Sequence, residues 1–269
     1  MATVPFSPAL KKEYETLFNT CELRPTHAAE VQRIVDKMAL NSDPYRQVET
    51  ALGIPWFFVG VIHNMESSLN FKAHLHNGDP LTARTVQEPK GRPKAGQPPF
   101  TWQESAIDAL TLKGLGSRTD WSLAGMLYQF ERYNGFGYRV YHPHVRSPYL
   151  WSGSNHCTRG KYVKDGLWSD TAVSKQCGAA VLLRRLAEMG QIEFQDQPLS
   201  IADDSPLVCR YTTTKPDDPT ALAQARDIQN WLNTYQGIFL KVDGVAGPKT
   251  SDAYKRVTGH YLPGDPRNG

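Results

Sequence analysis

One stretch constrains this chain more than any other: Ile54-Pro55-Trp56-Phe57-Phe58-Val59-Gly60-Val61-Ile62, continuing through His63-Asn64-Met65-Glu66 to Phe71. The apolar run ends at Ile62, about half of the roughly 18 residues that a membrane span needs, so it reads as a buried helix. Pro55 suits a first helical turn. Phe58, Ile62, Met65 and Leu69 fall on one face, which predicts a core helix of about 16 residues. Mean hydropathy is −0.49, and no longer uncharged apolar run occurs, so no membrane partner is expected.

The rest of the chain can supply a core. Hydrophobic residues make up 40% of the 269 positions, with 6 Trp, 12 Tyr and 10 Phe, which excludes a disordered chain. The length fits one large domain, or a large one with a small one. Leu10, Tyr14, Leu17 and Phe18, and then Val31, Ile34, Val35 and Met38, recur at helical spacing, interrupted by Pro25 and the Asn41–Pro44 cluster. Thr101-Trp102-Gln103-Glu104 reads as a capping box ahead of Ala106, Ile107 and Leu110, with Gly114 and Gly116 ending that helix. Asp120 is expected to cap the next helix, which runs to Tyr133-Asn134-Gly135. Another is expected from Thr171 to Met189. Between the helices, residues 72–99 read as a small hairpin or irregular lobe, with strand character at Thr82–Val86. The long loop Arg139–Asp165 is rich in Tyr, His, Pro, Ser and Gly, as functional loops are.

Residues 210–219 have linker composition, and helices are expected at Ala221–Asn233 and Ser251–Val257. This gives a mainly α protein: a helical domain over 1–209 with a small β-hairpin lobe, a linker over 210–219, and a small three-helix domain over 220–269.

Charge and cysteines narrow the partners. Thirty basic against 27 acidic residues leave a net +3, too mild for a nucleic-acid face, though compatible with a polyanion. Cys21, Cys157, Cys177 and Cys209 form no CxxC pair. Cys157 and Cys177 would suit a disulfide in an oxidising compartment, and free thiols suit the pattern equally. Met1–Leu10 lacks a basic segment followed by an apolar one and does not read as a signal peptide.

Glu66 is the leading candidate for chemistry. A carboxyl near the end of an apolar helix resists ionising and can act as a general acid near neutral pH. Asp79 follows in a polar turn. Two carboxyls in unlike surroundings make an acid/base pair suited to glycoside hydrolysis. Thr82, Thr85 and Glu104 are reserve candidates for the second group, although the capping box already explains Glu104. The aromatic residues Trp102, Tyr133, Phe136, Tyr138, Tyr149 and Trp151 could stack on sugars or belong to the core.

These residues carry a resemblance. His63-Asn-Met-Glu66-Ser67-Ser68-Leu-Asn-Phe71 resembles the catalytic Glu-Ser signature of goose-type lysozymes and soluble lytic transglycosylases. Arg132-Tyr133-Asn134-Gly135-Phe136-Gly137 resembles their downstream Tyr-Asn motif. The resemblance implies a lysozyme-like fold and peptidoglycan cleavage between N-acetylmuramic acid and N-acetylglucosamine. Glu66 and Asp79 would be catalytic, and Ser67, Thr82, Trp102, Tyr133, Asn134 and Tyr138 would contact the glycan. The Gly-Leu-Met-Gln segment of the transglycosylases is absent, which leaves water or a sugar hydroxyl as the attacking group; Asp79 favours water. A second likeness lies downstream. Ile228-Gln229-Asn-Trp231-Leu-Asn233 followed by Asp243-Gly244-Val-Ala-Gly247-Pro-Lys-Thr250 and Tyr254 resembles the small peptidoglycan-binding domain of wall hydrolases. There Gly244 and Gly247 would serve a tight turn, Thr250 would cap a helix, and Trp231, Asp243 and Tyr254 are candidate wall contacts.

Together these imply a monomeric muramidase that needs no cofactor or metal, made in the cytoplasm and acting on the cell wall, released in phage style or after loss of a leader. Two other readings stay open. His74-Leu-His76 resembles the His-x-His pair of zinc peptidases, with Asp79 as a further ligand, although no second His-plus-Asp motif appears. The chain could also bind the wall without cutting it.

Overall fold

The computed structural model describes residues 4–164, 166–194 and 209–268. Among these residues the protein is mainly helical with one small antiparallel sheet. The α-helices are α1 Pro8–Asn19, α2 Ala28–Leu40, α3 Ser42–Leu52, α4 Trp56–Ser67, α5 Trp102–Leu112, α6 Leu123–Asn134, α7 Gly137–Tyr141, α8 Pro148–Trp151, α9 Ala179–Glu188, α10 Pro219–Leu232 and α11 Pro248–Thr258. The sheet pairs β1 Lys161–Lys164 with β2 Leu167–Ser169, Tyr162 opposite Trp168. No helix among the described residues is long and apolar enough to cross a membrane.

The chain divides into two compact units, Met1–Tyr14 with Leu23–Leu186, and Glu15–Glu22 with Ala187–Gly269. In the first, α4 is the axis. Phe58, Val59, Val61 and Ile62 are fully buried, and Phe58 stacks on Phe130 of α6 with ring centroids 4.3 Å apart. Gly60 lets α2 and α3 come close, because a Cβ there would lie 3.0 Å from Met38 Cε and 3.3 Å from the Tyr45 ring. That packing offsets the usual cost of a mid-helix glycine.

Helix α4 stops at Ser67, short of the expected Phe71. Ser68 and Leu69 both take left-handed backbone angles, φ +53° and +59°. The Ser68 amide donates to Asn64 O and the Leu69 amide to His63 O, satisfying terminal carbonyls. Two successive non-glycine residues in this region are strained. The turn puts Leu69 into the core at 4% exposure and leaves Glu66 in the last helical turn.

Three further expectations change. Thr82–Val86 is not a strand: 72–99 is irregular, with one isolated bridge between Ala73 and Pro80. The amides of Val86 and Gln87 donate to the Asp79 carboxylate, and Thr85 Oγ1 bonds Pro89 O and receives the Arg92 amide. Side chains take the bonds a ladder would need. The hairpin sits instead in the long tyrosine-rich loop. Helix α6 is capped by Ser122, whose Oγ accepts from the Gly125 amide at 3.0 Å, while Asp120 accepts from the Ser122 amide. Helix α9 begins at Ala179 because Gly178 runs against α8, where a Cβ would meet Leu150 O at 2.2 Å. The capping box of Thr101 and Glu104 is present as expected. All four cysteines are buried free thiols, with burial pushing Cys157 up to about 11 and Cys177 to about 12.

The second unit packs Ile228, Leu232, Ile238, Leu240, Val257 and Leu262 together. The expected boundary at 209–210 adjoins residues 195–208, which lie outside the described residues. The first expected linker residues bond into this unit, Tyr211 through Pro263 O and Thr212 through Ala246 O. Gly244 is left-handed at φ +79° and touches Leu222, whereas Gly247 has an ordinary φ of −87° and caps α11. Thr250 is therefore inside α11, buried against Gln229 Nε2 at 3.4 Å, and not its cap.

Candidate active site

Glu66 sits where three chain segments converge on the end of α4. Pro148 starts α8 and sets the direction of Tyr149, whose hydroxyl donates to Glu66 Oε1 at 2.8 Å. From α6, Tyr133 lies close enough for its phenol to feel the Glu66 charge, and Lys113 Nζ lies over the Tyr133 ring at 4.6 Å. From the segment before α9, Gln176 Nε2 donates to Met65 O at 2.7 Å. Beside Tyr149 opens a cavity of about 600 Å³ whose walls include Asn134, Tyr138, Lys161, Tyr162 and Gln176.

The electrostatics suit a proton donor. Crowding by surrounding protein raises the Glu66 carboxyl above the ordinary range, while the Tyr149 hydrogen bond and the Lys113 charge pull it partly back. By surface area Glu66 is exposed. Tyr149 holds Oε1 from one side, and the side chain is otherwise open to a ligand. Burial and the Glu66 charge hold the phenols of Tyr133 and Tyr149 above their usual range, so both stay neutral donors.

The cavity wall is anchored from behind. Glu131 of α6 is 2% exposed. It accepts from the Tyr14 hydroxyl and from Arg139 Nη2 at 2.9 Å. Arg139 also bridges Glu13 at 3.1 Å, and Arg146 reaches Glu13 at 2.8 Å. This network ties α7 to α1 and α6. The hairpin is fastened in turn: the Tyr162 amide donates to Tyr138 Oη at 3.2 Å, and Trp168 stacks on His142 at 3.5 Å.

The expected site residues separate into those at this groove and those elsewhere. Asn134 and Tyr138 line the cavity, Glu66 is joined to its wall through Tyr149, and Tyr133 lies near Glu66. Ser67 is half-buried next to Glu66 with its hydroxyl bonded to His63 O. Asp79 does not join them. Its carboxylate accepts from the Val86 amide at 2.8 Å, the Gln87 amide at 3.1 Å, Asn77 Nδ2 at 3.1 Å and Gln87 Nε2 at 3.3 Å. These bonds keep it ionised to unusually low pH. It holds its loop and has little capacity left to activate water. Thr82 is exposed on the same loop. Trp102 is 3% exposed and packs on Tyr45, His63 and Phe71, so it is core and not a glycan contact. Phe136 and Trp151 are core as well. Thr85 and Glu104 serve their local turns.

The zinc arrangement does not assemble. His74 Nδ1 pairs with Ser105 Oγ and Nε2 with Ala83 O, each at 2.8 Å. His76 Nε2 pairs with Asp108 at 2.8 Å. No group of three or more His, Cys, Asp or Glu is placed to hold a metal among the described residues.

In the second unit, Trp231 packs edge-on to Tyr235 at 5.0 Å and near Tyr254 at 6.3 Å, all partly exposed. Asp243 accepts from Gln229 Nε2 and the Val245 amide and is a turn-former.

Sequence reading placed Tyr149 only among possible stacking residues and missed Lys113, Lys161, Tyr162 and Gln176. The Ser147-Pro148-Tyr149 start of a short helix was the available signal for Tyr149. Set against known proteins, the chain matches no family model, no curated protein and no solved structure.

Proposed function

We propose that this protein is a peptidoglycan hydrolase that cleaves the glycosidic bond between N-acetylmuramic acid and N-acetylglucosamine, with Glu66 as general acid. The observation that carries this reading is the Glu66–Tyr149 pair beside the aromatic-walled cavity. Protonated Glu66 would pass its proton to the glycosidic oxygen as the bond to the anomeric carbon breaks. Tyr149 then stabilises the carboxylate left behind, a bond made stronger by the charge it meets, until water bonds to the anomeric carbon and its proton returns to Glu66. Tyr138 and Tyr162 offer ring faces to sugars, and Asn134 offers an amide to hydroxyl or acetamido groups. Asp79 enters as the residue that shapes the loop after α4. The second unit would hold the protein on the wall through Trp231, Tyr235 and Tyr254, raising local concentration at an insoluble substrate.

Glu66→Gln keeps the shape and removes the acid. Clearing of purified peptidoglycan should fall by about 100-fold or more, and a variant as fast as the wild type overturns the assignment. Mass spectrometry of the products tests the bond. Reducing muramic ends support hydrolysis, anhydro ends would mean attack by a sugar hydroxyl, and free peptide ends would replace the glycosidase reading with a peptidase.

A further inference from the structure

We propose that the β1–β2 hairpin, together with α7, docks the protein on the surface of an anionic lipid bilayer. The proposal goes beyond the glycosidase reading and stands without it.

Exposed apolar side chains gather around this hairpin. Val140 and Tyr141 lie on α7, Val163 on β1 and Leu167 on β2; Tyr141 is 67% exposed, Val163 51% and Leu167 56%. Tyr141 and Val163 line the same cavity, so α7 and the hairpin bring them together. Val173 is exposed as well, next to Ala172, whose carbonyl accepts the Gly160 amide at the base of the hairpin. The strand pairing explains which side chains are left outside. Tyr162 and Trp168 stand opposite each other and both pack on Tyr138, so their face of the hairpin is taken up by the protein. Val163 and Leu167 alternate with them, and the register shifts at Val163. A cluster of exposed apolar groups of this kind marks an interaction surface.

The charge around the cluster selects the partner. Lys161 and Lys164 line the cavity on either side of Val163, and no acidic residue lines it among the described residues. Neither lysine has an ion-pair partner among the described residues. Residues 159–175 hold four basic residues, Arg159, Lys161, Lys164 and Lys175, against Asp165 and Asp170. Asp170 already accepts from Trp168 Nε1 at 2.8 Å, and Asp165 lies outside the described residues. Aliphatic groups interleaved with cations suit an anionic bilayer surface. Val163 and Leu167 would enter the boundary below the headgroups, Tyr141 would sit at headgroup level, and the lysines would meet phosphates. A glycan would use the ring faces of Tyr138 and Tyr162 and leave Val163 and Leu167 in water. A strand added by another protein would find only a bulged edge of three or four residues. No helix among the described residues can cross a membrane, so the contact is peripheral.

Sedimentation of the full chain with lipid vesicles tests the surface with no glycan present. At low salt the wild type should bind vesicles of equal parts phosphatidylglycerol and phosphatidylcholine about tenfold or more tightly than phosphatidylcholine alone. Salt at about 0.5 M, where the screening length is roughly 4 Å, should remove most of that difference. K161Q/K164Q should weaken binding to the anionic vesicles by about tenfold or more, since each cation at such a surface contributes about fivefold. V163S/L167S should weaken it by about tenfold and keep the salt dependence. Both variants should unfold at the urea concentration of the wild type, because none of the four side chains is buried. Leu40→Ser, the same kind of change at an exposed residue of α2, should bind as the wild type does. No binding to either vesicle, equal binding to both, or wild-type binding by both double variants overturns the surface. Glu66→Gln should lose cleavage and bind vesicles unchanged. Charge-dependent vesicle binding by a wild type that cleaves no glycan would sink the glycosidase reading and leave the docking surface standing. Cleavage without vesicle binding would do the reverse.

Discussion

Glu131 is the test of whether the groove wall is held as described. The Glu131→Ala change leaves the Tyr14 hydroxyl, which is fully buried, without its acceptor, and an unmet buried donor costs about 1–3 kcal/mol. Arg139 loses the closer of its two carboxylates, although its side chain is 21% exposed and it keeps Glu13 at 3.1 Å. Breaking a fully buried pair costs about 3–5 kcal/mol, and the exposure of Arg139 and its remaining partner place this case at the lower bound, near 3 kcal/mol in total. For a chain of this size that is a fall in melting temperature of about 6–12 °C. Glu131→Gln keeps an oxygen for Tyr14 and should cost less than half as much. Equilibrium urea unfolding, with an unchanged slope, measures both. A cycle with Arg139→Ala should return a coupling of at least about 1 kcal/mol. An alanine variant within about 0.5 kcal/mol of the wild type, or a pair of additive single changes, would refute the network as the anchor of α7.

Two other perturbations separate the site from its support. Tyr149→Phe removes a donor that favours the Glu66 anion, so the carboxyl should hold its proton to higher pH and the alkaline limb of kcat/KM should move up; a limb that stays or moves down contradicts the assigned bond. His63 is fully buried, paired with Tyr45 at 3.0 Å, and burial lowers it from 6.5 to about 4. The unfolded chain therefore takes up a proton that the folded one refuses, and stability should fall as pH drops from about 6.5 to about 4, by about 3 kcal/mol in all. His63→Gln should flatten that window relative to the wild type in urea unfolding at a series of pH values, and identical slopes would show that His63 is not the cause.

The helices were legible because their signals are local. The four-residue spacing of apolar positions located α2 and α4, and the Thr101–Glu104 box was enough to start α5. What was misread depended on partners distant in sequence or on competing side-chain bonds. Thr82–Val86 has strand composition, but the Val86 amide and that of the next residue, Gln87, go to the Asp79 carboxylate. The start of α9 is set by Leu150 O, which Gly178 must pass. Nothing in the residues 171–178 themselves announces that contact.

The site was legible only at its centre, for a reason that the end of α4 makes plain. Glu66 could be found because it is a carboxyl in the last turn of an apolar helix. Asp79 reads as its partner because it is a carboxyl in a polar turn just after the helix, and proximity in sequence is a poor guide once the backbone turns left-handed at Ser68 and Leu69. Beyond that turn the chain builds a loop whose acidic residue is consumed by its own amides. The group that meets Glu66 is Tyr149, and the charges felt there involve positions 113 and 133, each on a separate segment and each an ordinary residue in its own context. Tyr149 looks like any loop tyrosine until α8 aims it. A general acid needs surroundings that resist its charge and a donor that welcomes it once the proton has gone. In this chain one helix announces where the acid sits, and both requirements are met with residues far from it in sequence.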